Sequence, residues 1–198
     1  MTETGDQLSQ EESDRILYEQ IIPDHRLDDV MAYNRPKAII VVGQPGACTA
    51  ELVRAAFVEL TNDAIVIAPE DLADYHPRVR EFRREDPYTW SSRTATDAST
   101  WALRLLGHTA SLLRHVIFDI SCTDGSLLVP VLIRRMKERG YTVEVRVTVA
   151  HRLESEISLH ARFTGGLENE GYGRYISKAV HHSAYELLPE RLDAIHGR

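Results

Sequence analysis

The stretch Arg35-Pro-Lys-Ala-Ile-Ile-Val-Val-Gly-Gln-Pro-Gly-Ala-Cys-Thr-Ala50 constrains the fold more than any other part of this chain. Ala38 to Val42 is a continuous β-branched and apolar run of the kind found in a parallel strand buried on both faces. It runs into Gly43-Gln44-Pro45-Gly46-Ala47, the opening of a phosphate-binding loop. In an intact loop of the form G-x-x-x-x-G-K-[ST], backbone N–H groups cradle phosphates, the Lys neutralises their charge and the hydroxyl holds Mg²⁺. Here Cys48 stands at the second Gly, Thr49 at the Lys and Ala50 at the hydroxyl, so the Walker A pattern is degenerate at its chemical positions. Gly43, Gly46 and the helix start near Ala47 to Glu51 still offer N–H donors to an anion; the alternative is a tight strand-to-helix turn without a ligand.

Strand and helix patterns alternate beyond this point. Leu52 to Leu60 marks a helix, Ala64 to Ala68 a second strand, His115 to Ile120 a third and Thr142 to Ala150 a fourth. Helices are expected over Leu127 to Arg139, Leu153 to Arg162 and Ile176 to Leu187, with Pro189 near the end of the last. Ser9 and Glu12 have capping-box spacing ahead of a helix ending near Pro23, and Asp24 to Asn34 reads as a connector. Residues 1 to 8 read as loose. Pro69 to Thr96 is charged and aromatic without a sustained period, a candidate active-site insertion, until Asp97 opens a helix to about Leu113; Thr164 to Arg174 reads as a Gly-rich loop. Such alternation predicts a single α/β domain, a mostly parallel sheet flanked by helices, with ligands at the carboxyl ends of the strands.

With 30 acidic against 23 basic residues the chain carries a formal charge of −7, which gives no broad positive field for nucleic acid or anionic lipid. No apolar run reaches the roughly 18 residues of a membrane span, and the acidic N-terminus lacks a leader pattern, so a cytoplasmic location is expected. Two cysteines, Cys48 and Cys122, make neither a disulfide framework nor a zinc site, and no metal centre of the protein's own is expected.

The collinear order of several short pieces resembles the zeta toxin family of P-loop kinases. These are Leu8-Ser-Gln-Glu-Glu, Ile21-Ile-Pro-Asp24, the Gly43-Gln-Pro-Gly-Ala47 loop, Asp71-Leu with Tyr75-His-Pro77, Thr96-Asp-Ala98 with Trp101, Gly171-Tyr-Gly-Arg174, and His182 with Ala184-Tyr185 and Leu188-Pro189. The resemblance implies a P-loop kinase-like fold, ATP and Mg²⁺ as cofactors, UDP-N-acetylglucosamine as substrate and a small helical antitoxin as partner. It places Glu70 at the general-base position with Asp71 next to it. Asp119 then matches the acid and Ser121 the threonine of the third-strand motif, while its substrate-gripping arginine falls on Thr123. Arg162 and Arg174 match the two later arginines that hold ATP, and Tyr75 and His76 fall beside the substrate.

Each residue also has a plainer reading. Glu70 and Asp71 serve as general base or cap the helix starting at Pro69, and Asp119 holds a metal or substrate hydroxyl or bonds a neighbouring loop. His76 lines the pocket or anchors a turn. Cys48 at a helix start is a candidate reactive thiol with no visible partner. Trp90, Trp101 and Tyr88 stack on a base or belong to the core. His181 and His182 diverge by about 100° on a helix and do not chelate one ion in the i, i+4 manner. The expectation that follows is a zeta-toxin-like fold that has lost or weakened ATP-dependent phosphotransfer and binds a nucleotide, nucleotide sugar or protein partner. The rivals are an active kinase with a rearranged loop, within a toxin–antitoxin system, and a non-catalytic subunit that pairs with an active relative.

Overall fold

The computed structural model describes residues 6–121 and 128–196. Four parallel strands, β1 (Lys37–Gly43), β2 (Ile65–Ile67), β3 (Val116–Ser121) and β4 (Thr142–Thr148), form one sheet in the order β2-β3-β1-β4. β1, buried between two neighbours, is the apolar run seen in the sequence; its alternate side chains feed opposite faces. Ile39 and Val41, with Ile117 of β3, pack under α3 (Ala50–Glu59) against Ala56 and Leu60. Ala38, Ile40 and Val42, with Phe118 and Ile120, face the larger core on the other side.

That larger core rests on a long helix, α6 (Trp90–Ser111), and on α7 (Leu128–Glu138). The N-terminal helix begins as α1 (Gln10–Ile16), passes through a π turn (Leu17–Ile21) and ends as α2 (Ile22–Asp24). Ser9 caps it, accepting from the Glu12 N–H at 3.3 Å as the spacing predicts, while the Glu12 carboxylate takes the Ser9 hydroxyl at 3.0 Å instead of the backbone N–H of a full capping box. It is pinned to α6 by Trp101, wholly buried, whose Nε1 donates to the Ser13 carbonyl and hydroxyl at 3.1 and 2.9 Å. Residues 6 to 8 are tied down rather than loose: Asp6 takes Arg93 at 2.9 Å and Arg78 at 3.3 Å, and the Leu8 N–H donates to Asp97 at 3.3 Å.

The segment between β2 and β3 is more helical than its sequence suggests. It contains α4 (Pro69–Leu72), a 3₁₀ turn (Ala73–Tyr75), α5 (Val79–Glu85) and α6, which starts at Trp90 and not at Asp97. Asp86 organises that start by accepting from the Tyr88 N–H at 2.8 Å and the Thr89 hydroxyl at 2.9 Å.

After β4, α8 (Arg152–Glu170) continues eight residues past its expected end at Arg162 and carries Gly165 and Gly166 inside it. The glycine at 166 meets a packing demand, because the returning chain passes so close that a Cβ there would lie 2.6 Å from the Tyr172 carbonyl oxygen. α9 (Lys178–Glu186) follows, and α10 (Leu188–His196) extends the chain where Pro189 had suggested an end. Proline suits a first helical turn, whose N–H groups lack intrahelical partners anyway.

Candidate phosphate-binding cleft

The loop after β1 is fixed at several points. Gln44 is buried and its Nε2 donates to the Ala150 carbonyl at 2.6 Å, while Thr148 Oγ1 donates to the Ala47 carbonyl at 3.0 Å, so the exit of β4 holds both sides of the turn. Gly46 has φ +83°, and a Cβ there would run into the Ser155 carbonyl of α8. Ser155 is itself buried, its hydroxyl 2.8 Å from His181 Nε2 on α9. The loop, α8 and α9 are therefore locked through residues whose sequence gave no sign of the contact: a serine and a histidine 26 positions apart look like ordinary helix residues. Cys48 adopts φ +57°, a left-handed conformation that costs a residue with a Cβ about 1–2 kcal/mol. Its exposed thiol has only distant neighbours, Ser158 Oγ at 3.9 Å among them.

Thr49 occupies the N-cap of α3 but does not cap it; its hydroxyl donates to Asp119 Oδ2 at 2.8 Å. A loop hydroxyl beside a strand-end aspartate is the pair that holds Mg²⁺ in P-loop enzymes. The hydroxyl missing at Ala50 thus reappears one residue earlier, in the place of the lysine. Burial raises the Asp119 carboxyl above its ordinary range, the bond from Thr49 opposes that, Asp71 raises it further and Arg162 lowers it. The side chain of Asp71 still reaches solvent, yet surrounding protein strips enough water to raise its carboxyl, Asp74 adds to this, and Arg162 opposes it. Asp71, Asp119 and Arg162 share one electrostatic field at the carboxyl end of the sheet.

Glu70, in the first turn of α4, is clamped by both arginines matched from the sequence: Arg162 Nη2 lies 3.3 Å from one carboxylate oxygen, and Arg174 Nη1 pairs with the other. Burial draws the Arg174 guanidinium down to about 10, which leaves it charged at neutral pH with Glu70 as its counter-ion. Glu70 is thus a paired carboxylate in this state and not a free base, and Asp71 is the more open acid.

Other expected site residues have structural partners. The Tyr75 hydroxyl donates to Asp24 at 2.9 Å, and burial with this bond pushes it up to about 12. His76 is buried, its Nε2 3.6 Å from Asp97 and its Nδ1 accepting from the Arg78 N–H at 3.2 Å, a turn anchor between α5 and α6. Trp90 and Trp101 are core residues, with Trp90 Nε1 donating to the Gly173 carbonyl at 2.8 Å. Tyr88 packs on Phe163 and Tyr175. His181 is buried and His182 pairs with Glu186 on the surface, so the adjacent histidines do diverge. Ser121 ends β3 opposite Gly43, and Thr123 lies outside the described residues. Among the described residues no group of three or more His, Cys, Asp or Glu is placed to hold a metal ion. One helical turn beyond Asp71 a cleft of about 970 Å³ opens between α5 and the end of α8, lined by Asp74, Arg80, Arg83, Arg84 and Tyr172 among others.

The sequence profile described as "Zeta toxin" matches residues 24–198, most of the chain and all of this cleft. The chain belongs to the zeta toxin family. Its fold is similar to a structure from the PezAT chromosomal toxin–antitoxin system of the human pathogen Streptococcus pneumoniae, with a TM-score of 0.74 at 17% identity over 96% of this chain and 76% of that one. It is also similar to AvrRxo1-ORF1:-ORF2 with ATP, with a TM-score of 0.62 at 16% identity over 92% of this chain and 59% of that one. No curated protein resembles the chain closely enough in sequence to count as a match. Among the described residues of this zeta toxin family member, no helix is long and apolar enough to cross a membrane.

Proposed function

We propose that this zeta toxin family protein binds a phosphate-bearing nucleotide or nucleotide sugar between the 43–50 loop and α8, with ATP-dependent phosphotransfer strongly weakened. The observation that carries this reading is the Thr49–Asp119 hydrogen bond, which supplies the metal-side pair while no residue from Gly43 to Ala50 carries a positive charge. The Thr49 hydroxyl and the Asp119 carboxylate suit a hard cation, so they are the groups that would hold Mg²⁺. When bound, Mg²⁺ would neutralise charge on the phosphate oxygens of ATP. The absent lysine removes a further unit charge, about 1–4 kcal/mol at 4 Å for effective dielectrics between 80 and 20. At about tenfold per 1.4 kcal/mol, that deficit slows transfer substantially unless Arg162 or Arg174 leaves Glu70 to offset it.

The likeness to a toxin–antitoxin system supports a small protein antitoxin as partner and a cytoplasmic role. UDP-N-acetylglucosamine is the substrate the family suggests, and the arginines of the neighbouring cleft favour an anionic ligand. An active-kinase reading draws on Asp71 alone, an open acid with a raised carboxyl that can accept a hydroxyl proton.

Calorimetric titration with ATP·Mg²⁺ and with UDP-N-acetylglucosamine separately, alongside an assay of ADP formation, tests both readings. Weak nucleotide binding and no turnover, with affinity gained in the triple variant Cys48→Gly, Thr49→Lys, Ala50→Ser, is the expected result. Robust ADP formation that Asp71→Asn abolishes would replace this reading with the active kinase.

A further inference from the structure

The cleft between α5 and the end of α8 is divided by charge. α5 turns Val79 and Phe82 into the core and leaves Arg80, Arg83 and Arg84, at i, i+3 and i+4, on one face along the cleft. Arg83 is the fixed member of the three. Its guanidinium lies 4.3 Å from the Trp90 ring centroid and 3.5 Å from that of Tyr172, and it pairs with Asp74. Its Nε is buried without a hydrogen-bond partner. Arg80 and Arg84 are exposed and have no acidic partner among the described residues; Arg84 Nε donates to the Arg80 carbonyl at 3.3 Å. In a chain of formal charge −7, two unneutralised guanidiniums one helical turn apart are a local exception.

The facing wall has the opposite sign. α8 ends there at Glu170, and Gly171, left-handed at φ +79°, turns the chain, so a carboxylate and the carbonyl end of a helix border the cleft. Between the two walls the surface is apolar, with Val79, Pro87, Leu167 and Tyr172. A compact polyanion gains from Arg80 and Arg84 but meets Glu170 and the helix end as well. A cation row, an apolar floor and an anion row are together the complement of an amphipathic helix that carries carboxylates at i and i+4 opposite Arg80 and Arg84, aliphatic side chains along its middle and a lysine on the far flank over Glu170. The size agrees: two helical turns, about 11 Å long and about 10–12 Å across, fill about 1,000 Å³, and the cleft offers about 970 Å³.

We infer that this cleft docks a charge-split amphipathic helix of a partner protein, with the acidic flank of that helix against α5. The inference rests on the reading that the chain has a protein partner, and adds where the partner is held and by what chemistry. The probe is a capped, fluorescently labelled helical peptide of about 16 residues, with two Glu four positions apart, a leucine stripe and Lys on the opposite flank. Titrated with the full chain, it should bind with a dissociation constant of about 1–100 µM, and less tightly as salt rises from about 50 to about 150 mM. The double variant Arg80→Glu, Arg84→Glu alters two exposed side chains, so it should keep its far-ultraviolet circular dichroism and weaken binding at least about tenfold. A peptide whose two Glu are replaced by Lys should prefer the double variant to the parent by a similar factor, a recovery that a damaged fold cannot produce. No binding below about 1 mM, equal binding by parent and double variant, or no recovery in the charge swap overturns the inference. Displacement of the peptide by an equal concentration of inorganic pyrophosphate also overturns it, by giving the cleft to a compact anion. The titration contains no nucleotide and no whole partner, so its failure would sink the docking chemistry alone and leave the nucleotide reading and the existence of a partner to their own tests.

Discussion

Thr49 and Asp119 are 70 positions apart in sequence, and the hydroxyl of one donates to the carboxylate of the other across 2.8 Å. The bond satisfies a half-buried acid whose carboxyl burial has already pushed upward. An acid with a raised folded value opposes folding: the unfavourable effect is absent below the unfolded value, grows as pH rises from it and is complete above the folded one. Asp119→Asn keeps an acceptor for Thr49 and removes the charge. It should raise the melting temperature near neutral pH by about 2–4 °C, the shift for roughly 1 kcal/mol in a chain of this size, and abolish any Mg²⁺-dependent nucleotide binding. Scanning calorimetry with and without ATP·Mg²⁺ reads both; a variant less stable than the parent would contradict the burial account.

Glu70 neutralises two guanidiniums that a phosphate ligand would also seek. Glu70→Gln should therefore tighten the binding of UDP or ADP by about three- to tenfold, since it removes a competing anion worth about 1 kcal/mol at a partly exposed site. The same change should cost roughly 1–2 kcal/mol of stability by leaving Arg174 without its counter-ion. If affinity falls instead, Glu70 itself touches the ligand.

Gly46 combines a left-handed backbone with direct contact on the Ser155 carbonyl. Gly46→Ala must push α8 off the loop or break the turn, at about 2–4 kcal/mol, which corresponds to a melting temperature lower by about 5–15 °C. Thermal unfolding followed by circular dichroism measures it.

His181, buried against Ser155, has its imidazole drawn below its ordinary value, chiefly by burial. A histidine with a lowered folded value contributes stability that is complete above the unfolded value, about 6.5, and is lost as pH falls toward the folded one. Stability should thus decline between about pH 7.5 and about pH 5.5, and His181→Gln should flatten that slope. His115, also drawn down by burial, keeps part of the slope in the variant. An unchanged slope would mean that His181 gains its proton without disturbing Ser155.

The alternating architecture was legible because buried parallel strands are written as unbroken apolar runs, and Ala38–Val42 and His115–Ile120 are such runs. The first two turns of α6 were not, because its buried side there reads Trp90, Thr94, Asp97, Ala98 and Trp101, correctly spaced for a helix but with a threonine and an aspartate among the buried residues. The end of α8 was hidden by two adjacent glycines, of which Gly166 serves close packing rather than a break. In the cleft, the family resemblance pointed to Asp119, Glu70 and both arginines, and the structure brings Glu70 together with Arg162 and Arg174. What the sequence could not convey was pairing across long separations: that the Thr49 hydroxyl meets Asp119, and that Glu70 is held by two arginines about a hundred positions away.

The doubling back of the chain after α8 has a mechanical consequence. Gly166 passes against the Tyr172 carbonyl, Gly173 against that of Phe163, and Trp90 fastens the crossing through the Gly173 carbonyl, so Arg162 and Arg174 ride on one stiff two-ply arm. The two guanidiniums are thereby presented to Glu70 from a fixed backbone spacing, and a change that loosens the crossing, at Gly166, Gly173 or Trp90, would shift both at once.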